Sequence, residues 1–203
     1  MSKKLQGKNR RREGKMKEKP SRIFLFAFIC AGLLLPAWSQ ESSPANPAAI
    51  GTPVKSMIEL GSVSANIYDI TITNLEVIRG QEALARVKAS SASNPAPPAG
   101  MEYVLARVKF ELKGRYVSDT IPMDIGKDLL QWVALRSDLT ELVKPEVTVP
   151  APALVGRVEP GKSIEGWVVF TVDVKDAKPI MVFDPDTGGG TGRGMTLFFR
   201  LYK

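Results

Sequence analysis

Glu102-Tyr103-Val104-Leu105-Ala106-Arg107-Val108-Lys109-Phe110-Glu111-Leu112 is the stretch that decides the architecture of this chain. Val104, Ala106, Val108, Phe110 and Leu112 fall on one side of an extended backbone, with Arg107, Lys109 and Glu111 on the other. A period of two is what a strand with one buried face requires. The same pattern recurs on both sides of it. Tyr68, Ile70 and Ile72 alternate with Asp69, Thr71 and Thr73, after which the apolar phase slips to Leu75 and Val77, predicting a bulge near Asn74. Val168, Phe170 and Val172 share a face with Ile164 and Gly166, and Leu197, Phe199 and Leu201 alternate with Phe198, Arg200 and Tyr202. Leu129 to Leu135 and Pro179 to Phe183 read as short strands apolar on both faces, suited to central places. Glu159-Pro160-Gly161, Lys113-Gly114 and the run Asp184 to Gly194 punctuate them as turns. One helix interrupts the series, Gln81 to Ala89, with Leu84 and Val87 one turn apart on a shared face. Many strands with a single short helix and no βαβ alternation predict an all-β, antiparallel β-sandwich.

Charge divides the chain into a leader and a body. Residues 1–22 hold ten of the 28 Lys and Arg and two acids, Glu13 and Glu18, so the remaining 181 residues are close to neutral although the whole chain is +7. A basic stretch ending at Arg22, an apolar run from Ile23 to Leu35 and a small-residue site at Ala37-Trp38-Ser39 have the three-part order of an export signal. Residues 1–39 are therefore expected to be a signal peptide cleaved after Ser39. The competing reading is an uncleaved membrane anchor, but the apolar run falls short of the roughly 20 residues that span a bilayer core. Cys30 follows Ile29 rather than a small residue, which does not suit lipidation, and Met16 offers a shorter start. With the leader gone the excess cationic charge goes too, so nucleic acid is not an expected partner, and a membrane is one only through an uncleaved leader. From Gln40 the Ser-, Pro- and Ala-rich sequence reads as a disordered spacer over 40–55, with the folded domain at 56–203.

Two absences narrow the chemistry. The chain has no histidine and its one cysteine, Cys30, sits in the leader. Ser-His-Asp and Cys-His catalysis and nearly all zinc sites need one or both. Carboxylate chemistry survives, as paired acids for glycoside hydrolysis or as oxygen ligands for calcium. Asp119, Asp124 and Asp128 lie close in sequence but among turn residues, which suits a solvated loop. Asp184-Pro185-Asp186-Thr187-Gly188-Gly189-Gly190-Thr191-Gly192-Arg193-Gly194 opens like a calcium loop, yet Met195 stands where a bidentate Glu is required. Its glycines could mimic a phosphate cradle, but no Lys-Ser or Lys-Thr follows them. A mobile, metal-free connector is the expectation. Trp132 and Trp167 are expected to pack in the sandwich, with ligand stacking as the alternative.

Gly80-Gln81-Glu82-Ala83, Asn94-Pro95-Ala96-Pro97-Pro98-Ala99-Gly100-Met101-Glu102-Tyr103-Val104, Pro160-Gly161 followed by Glu165-Gly166-Trp167-Val168-Val169-Phe170, and Lys178-Pro179-Ile180-Met181-Val182-Phe183 resemble a known family. It is the secreted telokin-like, immunoprotective-extracellular-antigen-like immunoglobulin-sandwich domain family of bacterial exported proteins and lipoproteins. The likeness runs from about Gly61 to Lys203. It implies an immunoglobulin-like fold outside the cytoplasm and brings no catalytic residues, the family having none established. The absent lipobox cysteine is a departure. No residue is assigned a catalytic, cofactor-binding or metal role, and no cofactor is expected. The expected function is a non-enzymatic extracytoplasmic module that binds a protein or envelope component; the alternative is a carboxylate-based hydrolase or a small-ligand or calcium-binding protein.

Overall fold

The computed structural model describes residues 42–61, 66–185 and 192–203. The expected leader, including Cys30 and the Ala37-Trp38-Ser39 site, lies outside these residues, as do residues 186–191 of the glycine-rich connector. The chain forms β1 (Pro53–Leu60), β2 (Ile67–Arg79), α1 (Gly80–Ser90), β3 (Met101–Gly114), β4 (Met123–Ile125), a 3-10 turn (Leu129–Gln131), β5 (Trp132–Leu135), β6 (Glu141–Leu142), β7 (Gly156–Val158), β8 (Ser163–Asp173), β9 (Ile180–Phe183), β10 (Gly192–Gly194) and β11 (Leu197–Arg200). One sheet has the order β10-β1-β2-β3-β8, a second the order β11-β9-β5-β6, and β4 and β7 make a separate two-stranded ribbon. Every strand pair is antiparallel. In immunoglobulin lettering β2, β3 and β8 take the A, B and E places, and β5, β9 and β11 the C, F and G places. Strand β6 is an added strand beside C, and β1 and β10 extend the first sheet past A.

The alternation that predicted the sandwich also fills it. Val104, Ala106, Val108, Phe110 and Leu112 are buried with Tyr68, Ile70, Ile72, Val168, Phe170 and Val172 of the same sheet, and meet Trp132, Met181, Phe183, Leu197 and Phe199 of the other. Phe183 links the layers, its ring centroid 5.9 Å from that of Phe110 and 4.7 Å from that of Trp132, within the range in which aromatic pairs attract. The predicted bulge is a register shift between Asn74 and Glu76; Val77 turns inward as expected, but Leu75 is exposed and it is Asn74 that faces inward, its Nδ2 donating to Arg200 O of the second sheet at 2.8 Å. Gly80, at φ +67, turns β2 into α1, a conformation costly for a side chain. The helix packs on the outer face of the first sheet, where Ala83 and Val87 close a second core over Ile78, Tyr103, Leu105, Trp167 and Val169. Trp167 is thus core, beneath the helix, with the Arg86 guanidinium 5.4 Å from its ring. The stretch Leu129 to Leu135 differs from expectation: its first turn is 3-10, because Asp128 accepts Leu130 N–H at 2.7 Å, and only Trp132–Leu135 is strand.

The expected spacer, 40–55, is corrected over its described part. Residues 42–50 lie along the outer edge of β11, where Ala48 N donates to Phe198 O and Arg200 N to Ala48 O, each at 2.9 Å. Ala48 is fully buried, Phe198 N donates to Ser42 Oγ, and β1 begins at Pro53. Low hydropathy concealed this arm because its attachment comes from backbone hydrogen bonds, the Ser42 hydroxyl and a few apolar contacts at Pro47, Ala48 and Ile50. Among the described residues no helix is long and apolar enough to cross a membrane.

Candidate functional site

Of the acids singled out by sequence, Asp119, Asp124 and Asp128 are committed to their own turns, and Asp186 lies outside the described residues. Asp119 Oδ2 accepts the backbone N–H groups of Arg115 at 2.6 Å and Tyr116 at 2.8 Å. Asp128 caps the 3-10 turn, and Asp124 Oδ1 lies 3.0 Å from Lys127 Nζ. Asp184 N donates to Gln131 O at 3.0 Å. Among the described residues no three His, Cys, Asp or Glu side chains gather as metal ligands. Asp138 is held below the usual carboxylate range, first by the backbone N–H of Thr140 at 2.9 Å and then by its hydroxyl, so it too serves a turn. Burial pulls the Lys144 ammonium below its ordinary range against the opposing charge of Asp128, while its Nζ lies 3.5 Å from Leu129 O.

A different surface offers a recess. Sheet edges in this fold are mostly closed. The arm 42–50 covers β11; residues 152–154 run along β8, with Trp167 N donating to Pro152 O at 2.8 Å and Leu154 N to Trp167 O at 3.0 Å. Gly166 makes that approach possible, since a Cβ there would lie 2.5 Å from Ala153 C. Strand β6 is only two residues long. Strand β1 is the exception. Its eight residues pair with β2 from Pro53 to Glu59, but on the other side, among the described residues, β10 covers only Ile58 to Leu60. Leu60 N donates to Asn66 O beside β2, so by the alternation of an antiparallel ladder Lys55 and Met57 direct their N–H and C=O groups away from β2.

Beside this uncovered stretch runs an open groove of about 720 Å³, lined by Val54, Met57, Ile58, Met195 and Leu197 as its apolar wall and by Lys55, Glu59 and Arg193 at its rim. Met57 is 55% exposed and Met195 67%, at the lip. The register pairs Glu59 with Arg193 across β1 and β10. Lys55 has no ion-pair partner among the described residues, whereas Asp69 nearby is held by Arg115 at 2.7 Å. The groove can therefore offer backbone hydrogen bonds, polarisable apolar contact and, at Lys55, a positive charge; its two carboxylates are Glu59 and Asp69, the latter held by Arg115. Sequence reading missed it, placing Lys55 in a spacer and Arg193 in a connector. The usable signal was the alternation of Val54, Ser56, Ile58 and Leu60 with Lys55, Met57 and Glu59.

No family model matches this chain, and no curated protein matches it. Among solved structures, the putative lipoprotein (ycdA) of Bacillus subtilis subsp. subtilis str. 168 aligns at 14% identity with a TM-score of 0.46, over 70% of this chain and 38% of that protein. The chain thus spans little more than a third of that protein, and a similarity of this degree carries no conclusion about fold or function.

Proposed function

We propose that this protein is a non-enzymatic, extracytoplasmic immunoglobulin-like interaction module that receives a protein segment of the cell envelope in the β1 groove. The observation that supports this reading is the half-covered strand itself: among the described residues, a sandwich that seals or shortens its other edges leaves Pro53 to Met57 open beside an apolar wall. The export-type leader supports the compartment, and the resemblance to telokin-like secreted domains is consistent with both. Catalysis is not proposed, because Asp119 and Asp128 cap turns, Asp124 pairs with Lys127, and Asp69 of the groove pairs with Arg115. The test places a photo-crosslinking amino acid at Met57 or, as a control of equal exposure, at Val174 in the exporting cell, with N-terminal sequencing of the processed chain. A discrete adduct at Met57 alone, on a chain that begins at Gln40, is the expected result. Equal adducts at both positions, or none at Met57, would remove the reading.

A further inference from the structure

We infer that the β1 edge takes an extended peptide by antiparallel strand addition, and that this peptide carries an acidic residue opposite Lys55 with apolar residues on either side; the inference rests on the groove's being the binding site. The groups on offer set the register. Lys55 presents an outward N–H and C=O, Met57 an outward N–H and Pro53 an outward C=O, the alternate positions of a strand whose other side is bonded to β2. A peptide running antiparallel to β1 continues the line of β10, which stops at Gly194 opposite Ile58. Its residue opposite Lys55 shares the outer face with that ammonium, where an acid is favoured and a like charge is not. Its neighbours on either side turn inward to Val54, Ile58 and Leu197, where apolar side chains belong, and the residue opposite Met57 meets the two methionines at the lip.

A second copy of this chain does not fit the same place. Dyad-related pairing within the uncovered stretch sets Lys55 against Lys55 of the copy and Pro53, which lacks an N–H, against Met57. Sliding the register to match Lys55 with Glu59 drives the copy into β10. Pro53 and Lys55 thus discourage self-association while leaving the edge open to an acidic strand.

The probe is the blocked pentapeptide Leu-Val-Glu-Val-Thr, titrated into the isotope-labelled domain from Gln40 to Lys203 and followed by amide shifts. The expected site of perturbation is the Lys55 and Met57 amides. N-methylation of its glutamate and threonine, whose N–H groups face Lys55 O and Pro53 O, is expected to weaken binding about tenfold or more, and N-methylation of its two valines to leave it unchanged, since two hydrogen bonds are lost in one case and none in the other. Lys55→Glu, an exposed change that spares the β1–β2 ladder, is expected to weaken the glutamate peptide about threefold and to favour a lysine-centred one. Equal loss for both methylated peptides, or a lysine-centred peptide preferred by the unaltered domain, overturns strand addition by an acidic segment while leaving the groove a binding site. No shift at Lys55 or Met57 with any of these peptides overturns the inference, and the crosslink at Met57 then decides whether the groove binds at all.

Discussion

Replacing Asn94 with alanine removes a side chain that ties α1 and residues 147–149 to the connector leading into β3. Nδ2 donates to Val87 O at 2.7 Å and to Thr148 O at 2.9 Å, Oδ1 accepts Thr148 N–H at 2.8 Å, and the residue is 3% exposed. One of the two carbonyls keeps a donor in Ser90, whose single hydroxyl proton can go to Val87 O at 2.7 Å or to Thr148 O at 3.0 Å. Thr148 N–H keeps none among the described residues, but Thr148 is itself exposed and water can partly replace the amide. Stranding it costs about 1 kcal/mol, the low end for a lost partner, and the other two bonds contribute roughly 0.5 kcal/mol each. The sum of about 2 kcal/mol lowers Tm by roughly 4–8 °C for a domain of this size. Thermal unfolding followed by circular dichroism measures it, with Ser90→Ala as a control that leaves every carbonyl its Asn94 donor and costs under about 1 kcal/mol. A Tm for Asn94→Ala within about 2 °C of the parent would refute the reasoning, because at roughly 2–4 °C per kcal/mol the amide would then contribute less than 1 kcal/mol.

Three further outcomes follow from particular contacts. Gly126 lies at φ +73 with its missing Cβ 2.0 Å from Leu154 O, so Gly126→Ala combines backbone strain with a backbone collision and should cost about 3 kcal/mol or more, read as lost soluble yield and a lowered urea midpoint. Ala48→Asp places a carboxylate in a fully buried position, expels the arm and uncovers the Phe198 and Arg200 groups of β11; light scattering should then detect more self-association than in the parent. Lys144 titrates below its ordinary 10.5 when folded, so between its folded pKa and 10.5 the unfolded chain binds more protons and stability rises with pH. Lys144→Met should therefore be at least as stable as the parent at pH 7, with the gap narrowing by pH 10 in urea unfolding; a gap that widens contradicts burial as the cause.

The site was less legible than the fold for a physical reason. A strand with one wet face writes its period into the chain, and β11 and the second half of β3 could be read directly from Leu197 to Leu201 and Ala106 to Leu112; β8 is buried on both faces, yet Val168, Phe170 and Val172 still marked its main-core face. The bulge at Asn74 was readable because inserting one residue inverts that period. Strand β1 carries the same period, but its polar start, Thr52-Pro53, follows a Ser-, Pro- and Ala-rich run that looks unstructured in isolation. Nothing in the composition of residues 42–50 reports the backbone bonds they make with Phe198 and Arg200, partners some 150 residues away.

By itself the sequence determined the uneven charge, with ten of the 28 Lys and Arg in residues 1–22, the absence of histidine and of any cysteine but Cys30, and which side chains face the main core along β3, β8 and β11, because composition and local period are properties of neighbouring residues. Only the tertiary structure decided which edges are covered. That depends on long-range register: β10 stops at Ile58, the arm lies along β11, residues 152–154 lie along β8, and among the described residues nothing pairs with the outward N–H and C=O groups of the remaining stretch of β1 beside its apolar wall. A strand's unpaired edge is defined by what does not lie next to it, and sequence-local patterns contain no such information.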